Sequence, residues 1–166
     1  MQRVLTEDNL HSFANSNVRV FYRIAEEAYV AMDDDLRSSR RPKLNNEPGW
    51  IITYDPDQKS FKNAFITIVF CGVFLESLLH LLIVERKGLA VFKKYDRKPY
   101  KDKLQLLGCE DISILQASVQ YQDTRRQVVH EKVHLDIDDY RFAQKEAASA
   151  MEFVKKVIAH FGLKMG

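Results

Sequence analysis

Hydrophobic residues recur at helical spacing near the start of the chain, between Ser12 and Arg37. Charged or polar residues occupy most of the intervening positions. Spacings of three and four place apolar side chains along one face of an α-helix. The pattern therefore predicts a first amphipathic helix, with an apolar face formed by Phe13, Val20, Ile24, Ala28 and Ala31.

The most apolar stretch lies in the middle of the chain and predicts a second, longer helix. Ser60 is placed to cap its start, and the apolar pattern continues to Arg86 or Lys87, just before Gly88. Because hydrophobic residues occupy nearly every side of this helix, we expect it to be the most buried element.

Part of this central helix, residues 64–84, is long enough to cross a bilayer. Glu76 and His80 lie towards its middle, however, and a carboxylate at the centre of a membrane costs about 2.5–3.5 kcal/mol. We therefore expect a buried helix of a bundle and no membrane association.

Three more helices are predicted in the second half of the chain. The run at 103–108 suits a short helix, Asp111 can cap a longer one that continues to about Lys132, and Asp138 or Asp139 can cap the last one. The last helix has an apolar face formed by Phe142, Ala147, Ala150, Val154, Val157 and Phe161.

A long connection at about 38–59 separates the first two helices and carries three of the four prolines. Its WIITY segment suits either a short strand or a hydrophobic plug. A loop of this length in a compact domain is usually functional or an insertion. The whole pattern predicts a single all-α domain over 1–166, an up-down helical bundle of four main helices plus short extra helices.

Composition narrows the class of protein. The 166 residues are 46% hydrophobic and 29% charged, which is typical of one globular domain. The formal net charge is only +2, so contact with nucleic acid requires a local basic patch. Cys71 and Cys109 resemble neither a disulfide framework nor a zinc knuckle. Since the segment MQRVLTEDNLHS has no apolar leader, we expect a cytoplasmic protein.

Polar residues interrupt the predicted apolar face of the helix that follows Asp111. That face consists of Ile112, Leu115, Val119, Gln122, Arg126, Val129 and Val133. An arginine there needs a carboxylate, a subunit interface or a cleft, because desolvating an unpaired charge is costly. Glu76 on the central helix needs a cation in turn, and Arg125 or Arg126 can supply it. A purely structural ion pair between two helices is the alternative.

Three short motifs resemble those of the HEPN superfamily of small helical-bundle proteins. Arg125 and His130, with four residues between them, are similar to its Arg-x4-6-His motif. The run 101–108, KDKLQLLG, resembles the short helix that often precedes that motif, and Glu76-SLL-His80 resembles an element of its central helix. The resemblance covers about residues 60–161. One departure is Arg126, where the family favours asparagine or another small polar residue.

The resemblance implies a metal-independent endoribonuclease of toxin or phage-defence type that needs no cofactor. RNA is cut without a metal when its 2′-OH is deprotonated, the leaving 5′-oxygen is protonated and a cation stabilises the phosphoryl charge. His130 is the expected acid and base, and Arg125 the expected phosphate-binding cation, with Arg126 as its competitor. Glu76 would orient an arginine, and His80 would line the cleft.

One histidine per chain cannot conveniently be both acid and base, so a homodimer that brings two His130 residues together is expected. The partners implied are therefore a second copy, an RNA substrate and, for a toxin, a cognate antitoxin. A basic run with interleaved tyrosines is expected to contact the RNA backbone and to stack on its bases; the alternative is that this run is only a solvated loop. The run comprises Lys93, Lys94, Tyr95, Arg97, Lys98, Tyr100, Lys101 and Lys103.

Two other functions fit parts of the sequence. A non-catalytic module that binds RNA, a nucleotide or a protein is favoured by Arg126. A zinc protease is suggested by the H-E-x-x-H run of His130, Glu131 and His134, for which Glu152 or His160 would be the third ligand. Lys132 inside that run and the lack of a further histidine extension disfavour zinc.

Overall fold

The computed structural model describes residues 17–44, 47–53, 56–129 and 143–165. The described residues form an all-α bundle, which confirms the predicted fold class, with four long helices and two short ones. The helices are α1 (Asn17–Ser38), α2 (Lys59–Lys87), α3 (Leu89–Tyr95), α4 (Tyr100–Leu106), α5 (Ile112–Val129) and α6 (Ala143–His160), and the strands are β1 (Arg40–Pro42) and β2 (Trp50–Ile52).

Helix α2 is the central element, as its all-round hydrophobicity predicted. It contacts each of the other helices, most extensively α1 and α6. Within the described residues it is the one helix long and apolar enough to cross a membrane, and 56% of its most apolar 18-residue window is buried inside the bundle. The remainder of that window is partly or fully exposed.

The start of α2 differs from the expectation, and its end does not. The helix begins at Lys59 after Gln58, which adopts a left-handed φ of 53°, so Ser60 is already inside the helix and the predicted Ser60 cap is wrong. The backbone N–H of Gly88 donates to the carbonyls of Ile83 and Val84, and its φ of 88° ends the helix as predicted.

The long connection forms a small antiparallel hairpin. Arg40 pairs with Ile52, and Pro42 pairs with Trp50. The described start of the WIITY segment, Trp50–Ile52, is therefore a strand and not a plug. Trp50 is 57% exposed, and the Arg40 guanidinium carbon lies 5.3 Å from the centre of its ring.

Two of the predicted helical faces are rotated from their real positions. In α1, Val20 is 52% exposed, while Ala28 is buried as expected. In α5, Ile112 and Val119 are 69% and 44% exposed, and Arg126 is exposed as well. Besides the predicted Ala28 and Leu115, the core-facing residues are Val18, Tyr22, Ala25 and Met32 in α1, and Ile114, Ser118, Tyr121 and Thr124 in α5.

Hydrogen bonding explains the error in α5. Its inward face is largely polar, but each polar group has a partner inside the protein. The Ser118 hydroxyl donates to the Leu115 carbonyl at 2.7 Å, and the Tyr121 hydroxyl donates to the Ile68 carbonyl at 2.6 Å. Thr124 Oγ1 donates to Glu146 Oε2 at 2.9 Å. Buried polar groups are tolerated when they are paired in this way.

The helix boundaries in the second half of the chain agree only in part with those predicted from the sequence. Asp111 caps α5 as predicted, since its Oδ1 accepts hydrogen bonds from the amides of Ser113 at 2.8 Å and Ile114 at 3.4 Å. Helix α3 was not predicted, because seven residues are too few to establish a periodicity. Helix α4 starts at Tyr100, before the predicted 103–108 segment.

The apolar face of α6 is confirmed over the described part of that helix. It comprises Ala147, Ala150, Val154 and Val157, with Phe161 just beyond the helix. Phe142, the two predicted caps Asp138 and Asp139, and the expected end of the preceding helix at Lys132 lie outside the described residues.

Candidate functional site: a cationic cleft between α2, α4 and α5

Helix α2 presents Gly72, Glu76 and His80 at four-residue steps, and hence on one side of the helix. Gly72 is needed for close packing. A Cβ atom built there would lie 2.7 Å from Arg125 Nε and 2.8 Å from the Tyr121 hydroxyl. The lack of a side chain therefore lets the guanidinium group of α5 lie directly against the backbone of α2.

Arg125 joins three helices through one nitrogen. Its Nη1 donates to Glu76 Oε1 at 2.6 Å and to the Tyr100 hydroxyl at 2.8 Å. The Tyr100 hydroxyl in turn donates to Glu76 Oε1 at 3.0 Å. The side chains of Arg125 and Glu76 are 29% and 43% exposed, so this ion pair lies at the edge of the core.

The three groups keep Glu76 ionised. Burial by itself raises the pKa of Glu76, but the hydrogen bond and charge of Arg125, with smaller contributions from Tyr100 and Lys103, outweigh it and place the pKa below its ordinary value of 4.5. Burial lowers the pKa of Arg125, but Tyr100 and Glu76 outweigh it and leave this pKa raised. Burial is also the main reason that the pKa of Tyr100 is raised. The cluster therefore holds one carboxylate and one guanidinium at neutral pH.

A second polar cluster surrounds His80. Lys103 is only 3% exposed, and its Nζ lies 2.9 Å from His80 Nε2 and donates to the Asp96 carbonyl at 2.7 Å. The ring centres of His80 and Phe92 are 4.9 Å apart in an edge-to-face arrangement. Burial first, and then the charge of Lys103, lower the pKa of His80, while burial lowers that of Lys103.

Both clusters open into one cavity of about 450 Å³. Five cationic side chains and two carboxylates line it, which makes it a site for anions. Gln122 also faces it and accepts a hydrogen bond from the Tyr100 amide at 3.3 Å. The lining residues are Glu76, His80, Asp96, Arg97, Lys98, Tyr100, Lys103, Gln122, Arg125 and Arg126.

The fold brings most of the predicted site residues together at this cavity. Glu76, His80, Arg125 and Arg126 line it, as do Arg97, Lys98 and Tyr100 from the basic run. The expectation that Tyr100 stacks on a base is wrong, because the residue is 5% exposed and its hydroxyl contacts Glu76 and Arg125. Two further members of the predicted RNA-binding set, Lys93 and Lys94, are exposed on α3 and do not line the cavity.

His130 follows Val129 directly in the chain and lies outside the described residues, as do Glu131 and His134 of the zinc motif. Within the described ranges, no group of three histidine, cysteine, aspartate or glutamate residues is placed to hold a metal ion. Glu152, one predicted third ligand, pairs with Lys156 at 2.8 Å. The other, His160, lies edge-on to the ring of Phe161, with ring centres 5.0 Å apart.

Sequence reasoning missed several residues that build the cavity, namely Gly72, Asp96, Lys103 as a buried group, Tyr121 and Gln122 as an anchor. One signal was available. A glycine inside a helix costs stability and usually has a packing reason, and Gly72 stands four residues before Glu76 in an otherwise apolar run.

Comparisons with protein-family models, curated proteins and solved structures find no match for this chain.

Proposed function

We propose that the protein is a metal-independent endoribonuclease that holds RNA in the cationic cleft. The observation that carries this proposal is the convergence on one cavity of Arg97 and Lys98, from the turn between α3 and α4, with Arg126 from α5. The cavity volume of about 450 Å³ is within the usual range for ligand sites. Guanidinium groups bind phosphate oxygens through paired hydrogen bonds, and the excess of positive charge attracts a polyanion.

The proposed reaction is an internal transesterification of RNA. The 2′-oxygen loses its proton to a base and attacks the adjacent phosphorus, and a 2′-O–P bond forms while the P–O5′ bond breaks. The leaving 5′-oxygen takes a proton from an acid. The products are a 2′,3′-cyclic phosphate and a 5′-hydroxyl, and no oxidant or metal is consumed. His130 is proposed as the group that exchanges these protons, on the strength of its place in the Arg-x4-6-His motif.

A homodimer belongs to the same proposal, because it would supply one His130 as base and another as acid. An apolar strip on the outward side of α2 supports it. We call this strip the outer α2 stripe; it comprises Ile66, the half-buried Val69 and Val73, and, beyond Ser77 and His80, Val84. Ile66 and Val84 are 40% and 38% exposed. Covering such a strip with a second copy would remove apolar surface from water and place two clefts near one interface.

The family resemblance extends the proposal to a cytoplasmic protein of toxin or phage-defence type, neutralised by a cognate antitoxin.

A non-catalytic RNA-binding module is the second candidate, and the Arg125 contacts favour it. Its guanidinium is already paired with Glu76 at 2.6 Å and with Tyr100 at 2.8 Å, as in a structural joint between helices. In that case the cleft would bind RNA and leave it intact.

The decisive experiment incubates the full chain with single-stranded RNA in excess chelator and identifies the ends of the products. We expect cyclic phosphate and 5′-hydroxyl ends, and a loss of activity on the order of 100-fold or more in His130→Ala. His160→Ala is the matched control and should retain activity, because His160 lies at the end of α6 and does not line the cleft. RNA substituted with 2′-O-methyl groups should not be cut.

Each other outcome selects a different function. RNA that is bound but remains intact would support the non-catalytic module. Proteolytic activity that requires zinc and is abolished by chelator would support the zinc-protease alternative instead.

A further inference from the structure

We infer that Arg97, Lys98 and Arg126 form a phosphate clamp at the rim of the cleft, and that Arg125 is a positioning residue which does not contact the ligand. This assignment reverses the roles that the sequence motif suggests for the two adjacent arginines. It rests on the proposed function in one respect, that the phosphate belongs to single-stranded RNA.

Arg125 is held in place on several sides. Its Nη1 is bonded to Glu76 and Tyr100, and its Nε and Cζ lie within 2.8 Å of the position that a Cβ atom of Gly72 would occupy. The carboxylate of Glu76 balances its charge. A phosphate could bind Nη1 only by displacing the carboxylate at 2.6 Å, which would leave Glu76 partly buried beside a second anion. The contacts of Arg125 therefore favour fastening α5 to α2 over binding a ligand.

Arg126 is in the opposite situation. As the next residue along α5, it points about 100° further round the helix, and it is exposed and lines the same cavity. Within the part of the chain that the structure describes, no carboxylate lies within ion-pairing distance of its guanidinium. Its charge and its five donors are thus available to an incoming anion.

Arg97 and Lys98 reach the cleft from the turn between α3 and α4, and this turn is anchored at three points. The Lys98 amide donates to the Tyr95 carbonyl at 3.0 Å. The buried Lys103 Nζ donates to the Asp96 carbonyl at 2.7 Å, and the Tyr100 amide donates to Gln122 Oε1 at 3.3 Å. An anchored backbone presents its cations without first having to be ordered, which lowers the entropic cost of binding.

The chemistry of this arrangement fits a nucleic-acid backbone. Three cations from two elements share one cavity of about 450 Å³, together with the hydrogen-bonding groups of Gln122 and His80. A phosphodiester shares one negative charge between two non-bridging oxygens, and this charge repeats at every nucleotide along the strand. A peptide carboxylate would engage one guanidinium and leave the other cations unpaired. The proposed ligand is therefore the phosphodiester backbone of single-stranded RNA.

The test measures binding of a fluorescent 2′-O-methyl oligonucleotide to the full chain by anisotropy at several salt concentrations. This ligand has no free 2′-OH and cannot be cut, so binding is separated from catalysis. We expect the double variant Arg97→Ala/Lys98→Ala to bind on the order of tenfold more weakly. The slope of log affinity against log salt concentration should become less steep by about 0.7 for each phosphate that the variant no longer binds. The matched control is Lys93→Ala/Lys94→Ala, which removes the same charge from the same run outside the cleft and should bind nearly as the parent does.

The two arginines are separated by a pair of readouts. Arg126→Gln should reduce the slope of log affinity against log salt and leave the unfolding temperature nearly unchanged. Arg125→Gln should lower the unfolding temperature and leave that slope unchanged, because the Arg125 guanidinium holds Glu76 and not a phosphate. The opposite pattern, in which Arg125→Gln alone reduces the slope, would overturn the assignment.

Two further results would also overturn the clamp. One is equal weakening by the 93/94 and 97/98 double variants, which would indicate diffuse attraction to the whole basic run. The other is equally strong competition by polyglutamate, which would indicate an acidic protein ligand. If the clamp variants behave as expected but natural RNA is never cut, the proposed ribonuclease is wrong and the clamp remains.

Discussion

Gly72 governs the position of Arg125 more directly than any charged residue around it. The guanidinium lies where a side chain on α2 would otherwise project, and the Tyr121 hydroxyl fills the space beside it. Neither neighbour can retreat easily, because Arg125 is bonded to Glu76 and Tyr121 is bonded to the Ile68 carbonyl. The cleft therefore depends on the absence of a methyl group at one position of its central helix.

Gly72→Ala should destabilise the protein by about 1–3 kcal/mol, the usual cost of forcing an extra methyl group into a packed site. This sign is informative, since glycine to alanine in the middle of an unobstructed helix stabilises by roughly 0.5–1 kcal/mol. Urea denaturation of the parent and the variant measures the difference, with Ser77→Ala on the same helix as control. A Gly72→Ala variant more stable than the parent would show that Arg125 and Tyr121 move aside freely.

At the scale of elements, the cluster of Arg125, Glu76 and Tyr100 joins α2, α4 and α5 at one point. On the cleft side these helices are joined by this polar cluster, while Leu104 of α4 and Ile114 and Leu115 of α5 belong to the apolar core. An ion pair at the edge of the core is sensitive to the protonation of its carboxylate. This cluster should therefore hold the three helices together less strongly in acid.

Replacing the Glu76 carboxylate by an amide tests how much this ion pair contributes to the stability of the protein. The folded-state pKa of Glu76 is lowered, so its ionised form stabilises the fold above the ordinary value of 4.5, and this stabilisation is lost as the pH falls through the folded-state pKa. Glu76→Gln should accordingly reduce the free energy of unfolding at pH 7 by about 1 kcal/mol or less, since solvent screens a side chain that is 43% exposed. The difference from the parent should shrink as the pH falls below 4.5 and through the lowered folded-state pKa.

Denaturation curves at pH 7 and pH 3.5 provide the measurement. Glu152→Gln serves as the control, because it removes the carboxylate of an exposed pair with Lys156 and should have the smaller effect at pH 7. A Glu76→Gln deficit that stays constant between the two pH values would rule out the ion pair as its source.

At the scale of the whole molecule, α2 has two different sides. One side forms the core, and the other carries the outer α2 stripe beside Glu76 and His80. Isolated exposed apolar residues are common, but several on one side of a helix next to a charged cleft are typical of an interaction surface. The proposed homodimer is the occupant that would also complete the acid and base chemistry.

Ile66→Glu places a charge in this strip and should convert a dimer to a monomer, since burying an unpaired carboxylate in an interface is unfavourable. Val30→Glu on α1 is the matched control; Val30 is 52% exposed and Ile66 40% exposed, so neither variant should unfold the monomer. Light scattering coupled to size-exclusion chromatography, over a range of concentrations, reports the mass. A parent protein that is monomeric throughout, or an Ile66→Glu variant that remains dimeric, would contradict the proposed interface.

Local pattern and chemistry determined the fold class of this protein. Long stretches of helical periodicity and an all-round apolar segment predicted the bundle and its central helix, because periodicity and hydrophobicity are local properties of a sequence. The Asp111 cap and the end of α2 at Gly88 were predictable for the same reason, since caps involve only neighbouring residues. The start of α2 was not, because a left-handed residue at Gln58 replaced the expected serine cap.

The tertiary structure decided which residues share the cleft and what each of them contacts. It rotated the buried face of α5, because Tyr121 and Thr124 find hydrogen-bond partners on other helices that no local pattern reveals. It buried the ring of Tyr100, brought Lys103 against His80 and gave the two adjacent arginines different surroundings. Pairing between distant residues depends on where helices cross, and that geometry arises only when the whole chain has packed.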